Sequence, residues 1–157
     1  MAAMTENARV RVFAAEPALP ATAASQVVVA VEKLLRQFER EGRCVHAAAW
    51  TEQEGRFILI AWEGPELSGC SHDKLAQVLQ AAERIHGVDI LGSPPIALER
   101  PPRLLTRGGL RAALAAEDLS PETCWWPLRA ETLEAWRKGP ATLRDSGLLP
   151  AAGRTAP

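Results

Sequence analysis

Cys44-Val45-His46-Ala47-Ala48-Ala49-Trp50-Thr51, then Glu52-Gln53-Glu54-Gly55, then Arg56-Phe57-Ile58-Leu59-Ile60-Ala61-Trp62 is the stretch whose reading decides the fold. Its two outer runs are made of β-branched, aromatic and small apolar residues, and the four residues between them are polar and end in glycine. That pattern predicts an antiparallel hairpin with a four-residue loop.

Upstream, Arg9-Val10-Arg11-Val12-Phe13 alternates charged and apolar residues at period two, as a strand with one wet face does. Between this strand and the hairpin, Val27, Val31, Leu34, Leu35 and Phe38 recur at helical spacing, with Glu32, Lys33, Arg36, Gln37, Glu39 and Arg40 on the other side. Thr22 or Ser25 can cap the start of this helix, and Gly42 lies just past its end. Downstream of the hairpin, Leu75, Val78, Leu79, Ala82 and Ile85 define a second amphipathic helix, with Gly87 as its stop signal. Residues 88–91, or 95–98 after a Gly-Ser-Pro-Pro break, offer one more strand. The order β-α-β-β-α-β predicts an α+β protein with a ferredoxin-like sheet and two helices over residues 9–98.

The rest of the chain reads as an α-rich extension over 99–150. It contains a helix at 110–116, a short strand at 123–128 and a helix at 130–138 ended by Gly139-Pro140. Its apolar content is too small for a core of its own, so residues 1–150 are expected to form one domain, followed by a flexible tail at 151–157. A chain of 157 residues also fits the length of one domain.

Eighteen basic against nineteen acidic side chains leave no general field for nucleic acid, and the absence of tyrosine excludes phenolic acid/base chemistry. The β-α-β-β-α-β order is shared with RNA-recognition modules. However, period two leaves Phe57 as the single stacking ring on its face of the third strand, so nucleic acid is not an expected partner. Three cysteines, Cys44, Cys70 and Cys124, are an odd number spread along the chain, which suits reduced thiols in the cytoplasm better than a secreted disulfide scaffold. No apolar leader or membrane span is visible.

One segment is dense in chemistry: Ser68-Gly69-Cys70-Ser71-His72-Asp73-Lys74, where a loop becomes the second helix. A helix start presents unpaired N–H groups and partial positive charge, which favour a thiolate or a bound anion. With Ser68 as the cap, Cys70 falls in the first turn, where its pKa is expected to drop; with Ser71 as the cap, Cys70 lies outside the helix. Two roles follow. Ser68, Gly69, Ser71, Asp73 and Lys74 can form a site for a small anionic ligand, or Cys70 can act as nucleophile or redox centre with His72 as base. Simple helix capping by the serines and Asp73 accounts for the same residues without any ligand.

Cys44-x-His46 and Cys70-x-His72 supply two Cys and two His, but one intervening residue is too few for the usual zinc pairs, so neither metal nor cofactor is expected. His86 sits at a helix end, where a partly charged ring is favourable. Trp125, Trp126 and Trp136 suit either a pocket or the packing of the C-terminal part. Leu67-Ser68-Gly69-Cys70 is similar to the opening of the ABC-transporter ATPase signature, yet no G-x-x-x-x-G-K-[ST] loop is present and ATP hydrolysis is excluded.

The Ser68-Gly69-Cys70-Ser71-x-Asp73-Lys74 motif resembles that of a family of small uncharacterised bacterial proteins, often labelled ABC transporter ATPases although they lack the ATPase motifs. Gly87-Val88-Asp89, Trp136, Pro140-Ala141 and Asp145-Ser146 are similar to further family positions. The family's isoleucine is His72 here, and Gly147 stands where an aromatic residue follows the Asp-Ser pair. The resemblance implies an α+β architecture and directs attention to Cys70, Asp73 and Lys74; it implies no activity. The combined expectation is a ligand-binding or protein-interaction module that can self-associate through a sheet face or edge.

Overall fold

A computed structural model describes residues 4–92 and 95–149, and the tail expected at 151–157 lies outside the described residues. Among the described residues the chain is a mixed α/β protein with two antiparallel sheets and four α-helices, and it divides into two compact units. One takes the chain up to residue 94 together with Leu128–Lys138, and the other takes the remainder.

The first unit is built on the hairpin. Strands β1 (Arg9–Ala14), β2 (His46–Glu52) and β3 (Phe57–Glu63) form a sheet in the order β1-β3-β2, with β3 antiparallel to both neighbours. In the central strand every residue from Phe57 to Trp62 is buried, which is why its sequence runs apolar without alternation. Ile58, Ile60 and Trp62 share a core with Val27, Val31, Leu35 and Phe38 of helix α1 (Ala21–Arg40) and with Leu75, Leu79 and Ala82 of helix α2 (Gly69–His86). Phe57 meets the Trp136 ring edge-on, with centroids 5.5 Å apart.

The hairpin turn depends on glycine. Gln53, Glu54 and Gly55 all have positive φ, and a Cβ on Gly55 would lie 2.0 Å from the Leu19 carbonyl oxygen. That close approach is held by the Leu19 N–H, which donates to the Gly55 carbonyl at 2.9 Å.

The outer edge of β2 is occupied by α1 side chains one turn apart. Arg36 donates to the Ala47 carbonyl, and Glu32 accepts from the Ala49 N–H at 3.5 Å. An acceptor and a donor that would invite another strand are thereby engaged.

The start of the first helix differs from expectation. Thr22 and Ser25 lie inside α1, which begins after Pro20 with no side-chain cap, because proline suits the entry to a first turn without needing a hydrogen-bonded N–H. Helix α2 begins with Ser68 as its cap and ends at Gly87 in the left-handed conformation.

The fourth strand of the β-α-β-β-α-β order is not part of this three-stranded sheet. Residues 88–91 contribute a single bridge, Asp89 to Glu16. The reason lies in competing side chains: the Glu83 carboxylate accepts the Ile90 and Leu91 N–H groups at 2.8 and 3.1 Å, and Asp89 accepts that of Gly92 at 3.0 Å. The alternative at 95–98 does form a strand, but in the second unit.

That second unit carries a sheet of four short strands, β4 (Ile96–Leu98), β5 (Arg103–Leu105), β6 (Cys124–Trp126) and β7 (Ala141–Thr142), in the order β5-β4-β6-β7, with helix α3 at Arg107–Ala115. Leu98, Leu110, Leu119 and Leu143 are buried together, with Ile96, Leu105 and Trp125 packed against them. A small cluster thus assembles from a stretch of modest apolar content. These leucines come from separate short elements, so no local period reveals that they meet. Thr106 starts α3 three residues earlier than expected by accepting the Gly109 N–H.

The helix expected at 130–138 is shorter, α4 at Leu133–Arg137, capped by Thr132 and grouped with the first unit. The residues before it run alongside β1 instead: the Val10 N–H donates to the Glu131 carbonyl and the Leu133 N–H to that of Ala8.

Candidate functional site

After β3 the chain turns through Gly64 and Pro65, where the Trp62 indole N–H donates to the Pro65 carbonyl at 3.2 Å and Leu67 is buried. This anchors Ser68 at the head of α2. Its Oγ accepts the Ser71 N–H at 3.1 Å and lies 3.0 Å from the Ser71 hydroxyl, which in turn accepts from Arg43 Nη1 at 2.9 Å. The guanidinium donates to the Ser71 hydroxyl, which together with Ser68 forms a continuous hydrogen-bonded chain at the helix start. Ser71 is fully buried, so its side chain serves the cap; Gly69 and Cys70 are exposed and hold the other leading N–H groups of the helix.

Two arginines stand on either side of this first turn. Arg43, just past the end of α1, hydrogen-bonds Glu41 at 2.5 Å, lies over the Phe38 ring and couples electrostatically to Cys70. Its guanidinium is held above the usual range chiefly by Glu41, with a further contribution from Cys70. The Glu41 carboxyl lies below its usual range because Gln37, and then Arg43, hydrogen-bond the ionised form.

On the other side, Arg11 of β1 approaches His72 Nδ1 at 3.0 Å. The guanidinium again has no acceptor, so Nδ1 is the unprotonated ring nitrogen and Nε2 carries the proton. Nε2 lies 3.6 Å from Glu66, whose other oxygen is 2.6 Å from Arg9 Nη1. The Trp62 ring meets that of His72 edge-on at 6.1 Å.

Cys70 and His72 are therefore not brought together. Two residues apart on a helix they point about 200° from one another, and each has its own arginine. His72 Nδ1 is occupied by a donor, so it is not available to take a proton from the thiol. Asp73 is exposed, and Lys74 is half-buried and electrostatically coupled to Glu41.

Cys44 and His46 lie elsewhere. Cys44 is buried just before β2, and burial pushes its thiol pKa up; His46 is half-buried, and its Nε2 has no partner among the described residues. Among the described residues no group of three or more His, Cys, Asp or Glu side chains is placed to hold a metal ion, and no helix is long and apolar enough to cross a membrane.

The tryptophans divide. Trp136 is buried in the first unit with its indole N–H on Glu52, whereas Trp125 and Trp126 belong to the second unit's sheet. His86 is the last residue of α2, as expected. Asp145 and Ser146 hold a turn, accepting from Thr142 Oγ1 and the Leu148 N–H respectively.

Arg11, Arg43 and Glu66 complete the surroundings of the helix start, and sequence reasoning did not single them out. Arg11 was legible only as the wet face of a strand and Arg43 only as a residue after a helix stop. Their convergence depends on β1 and the end of α1 both reaching the head of α2. Comparison of the chain with protein-family models, with curated proteins and with solved structures finds no match.

Proposed function

We propose that the protein is a cytoplasmic ligand-binding module in which the exposed first turn of α2 receives a small anion. The observation that carries this reading is the pair of arginines, Arg11 held at His72 and Arg43 held at Ser71, beside a helix start whose Gly69 and Cys70 are exposed. A helix N-terminus and two positioned guanidinium groups attract the same charge and offer donors to the same oxygens. Ser68 and Ser71 hold the turn in place, and Lys74 adds positive charge one turn on. In this reading the βαββα core is a ferredoxin-like frame whose fourth strand has been reduced to the Asp89 bridge. The motif that resembles the uncharacterised bacterial family marks the frame's ligand-facing corner.

Inorganic phosphate is the probe that tests the reading, through its effect on the melting temperature. Gly69→Pro deletes one first-turn donor at the position where proline is best tolerated; Ser68 already has φ −64° and ψ 160°, and the space beside Gly69 is open. Phosphate is expected to raise the melting temperature of the unaltered chain. Gly69→Pro should melt at the same temperature without phosphate and gain less from it. No phosphate effect, or an equal effect in both chains, overturns the reading.

A second reading rests on the exposure of Cys70 beside Arg43, which suits a thiol nucleophile or redox centre. In this version Arg43, and not His72, is the cation beside Cys70. Iodoacetamide should then label Cys70 at neutral pH faster than it labels free cysteine, and Arg43→Gln should remove the advantage. Labelling at the rate of free cysteine ends this reading.

A further inference from the structure

Both ring nitrogens of His72 are engaged, and a proton on the ring changes both contacts. Nδ1 accepts from Arg11 Nη1 at 3.0 Å, and Nε2 stands 3.6 Å from the Glu66 carboxylate. The first contact needs a free lone pair on Nδ1, because a guanidinium offers donors alone. A solvent proton and Arg11 therefore compete for one lone pair. Once the proton holds it, two cations stand at hydrogen-bond distance with no acceptor between them, and they repel. The ring is partly exposed and Arg11 is exposed, so solvent reaches the first and the second has room to swing away.

The groups around the ring set the direction of the response. On β1, Arg11 also lies over the uncharged Phe13 ring at 4.9 Å, and Arg9 is engaged by Glu66 at 2.6 Å. Glu66, in the loop before α2, is thus shared between Arg9 and His72, and a protonated ring draws on a carboxylate that is already paired. From β3 comes the uncharged Trp62 ring, edge-on at 6.1 Å. On α2 itself Asp73 and Lys74 follow His72 and leave the helix about 100° and 200° further round. Arg43, past the end of α1, is held one residue earlier at Ser71. His72 lies in the opening turns of α2, where the helix dipole opposes a cation and favours an anion. An anion at the exposed Gly69 and Cys70 offsets that opposition.

We propose that His72 is the proton switch of the anion site at the start of α2: protonation releases Arg11 from the ring, adds positive charge to the helix start and strengthens anion binding. This inference rests on the anion-binding reading and adds its regulation. Anion uptake is then linked to proton uptake, and the linkage is reciprocal.

Sulfate is the probe, since it remains a dianion over the range in which phosphate changes charge. In calorimetric titrations of the full chain, sulfate should bind at least about fivefold more tightly at about pH 5.5 than at about pH 8, the span over which imidazoles titrate. Near neutral pH the binding heat should vary with the ionisation enthalpy of the buffer, in the sense of proton uptake. His72→Gln, whose amide keeps an acceptor for Arg11 and carries no charge, should remove both effects. Arg11→Met should reduce the pH dependence. Equal sulfate affinity at the two pH values overturns the switch and leaves the anion site standing, as does a dependence that survives His72→Gln or is undiminished in Arg11→Met. No sulfate binding at either pH removes the anion site itself, and the switch with it.

Discussion

The two units of this chain are held together in different ways. The first depends on β3, whose six consecutive residues from Phe57 to Trp62 are all buried, clasped by helices of twenty and eighteen residues. The second is assembled from strands of two or three residues around four leucines drawn from four separate places in the chain. Long elements with a clear period contribute stability in large blocks, whereas short ones depend on the meeting of distant residues. The difference teaches where a single substitution should be felt most.

Cavities should separate the two units most strongly. Ile60→Ala, at a fully buried position in the central strand, should cost about 4 kcal/mol, near the upper end for such truncations. Leu110→Ala, which is buried in the smaller cluster with more room to relax, should cost about 2 kcal/mol. Urea denaturation measures both, and a cost for Leu110→Ala equal to or above that of Ile60→Ala would remove the distinction.

Within the first unit, two glycines sharpen the point. Gly55→Ala must place a methyl group against the Leu19 carbonyl in a residue with φ +85°, and should cost about 2 kcal/mol or more. Gly69→Ala meets nothing within 4 Å and enters a helix, so it should change stability by less than about 0.5 kcal/mol. Equal melting temperatures for the two variants would show that the turn yields easily.

The smallest effects are those of pH. Glu83 is held below the usual carboxylate range by the Ile90 N–H and then the Leu91 N–H, so its contribution is present above the unfolded carboxylate pKa and lost as pH falls through the folded value. Glu83→Gln should therefore flatten the acid side of the stability profile. Cys44 behaves in the opposite sense. Burial raises its pKa, so its contribution is complete below the ordinary thiol value and lost as the pH rises through the folded one. Cys44→Ala should flatten the alkaline side, as thermal melts across pH would show. An unchanged acid limb in Glu83→Gln would mean that the loop after α2 is held by something other than that carboxylate.

The same contrast explains what could be read in advance. The hairpin, both long helices and the first strand follow from local patterning, because a face buried over several turns or pleats leaves its period in the sequence. The fourth strand does not, since apolar residues at 88–91 are compatible with a ladder until Glu83 and Asp89 take the N–H groups that a ladder would use. In the second unit Leu98, Leu110, Leu119 and Leu143 lie too far apart in sequence for any period to join them. Of the residues around the start of α2, Ser68, Gly69 and Cys70 were legible because capping is local. Arg11 and Arg43 were not.

By itself, then, the sequence determined that a hairpin and two amphipathic helices form and that one of those helices begins at a serine of the Ser68–Ser71 segment; that Ser68 is the cap and that the neighbouring thiol is exposed came from the structure. Hydrophobic period and capping act over a few residues and leave a local record. Only the tertiary structure decided that His72 turns to Arg11 while Cys70 turns to Arg43, and that Glu66 is shared between Arg9 and His72. The partners of a charged side chain are chosen by which strands and helices come to lie side by side, and an arginine reads the same in sequence wherever its guanidinium ends.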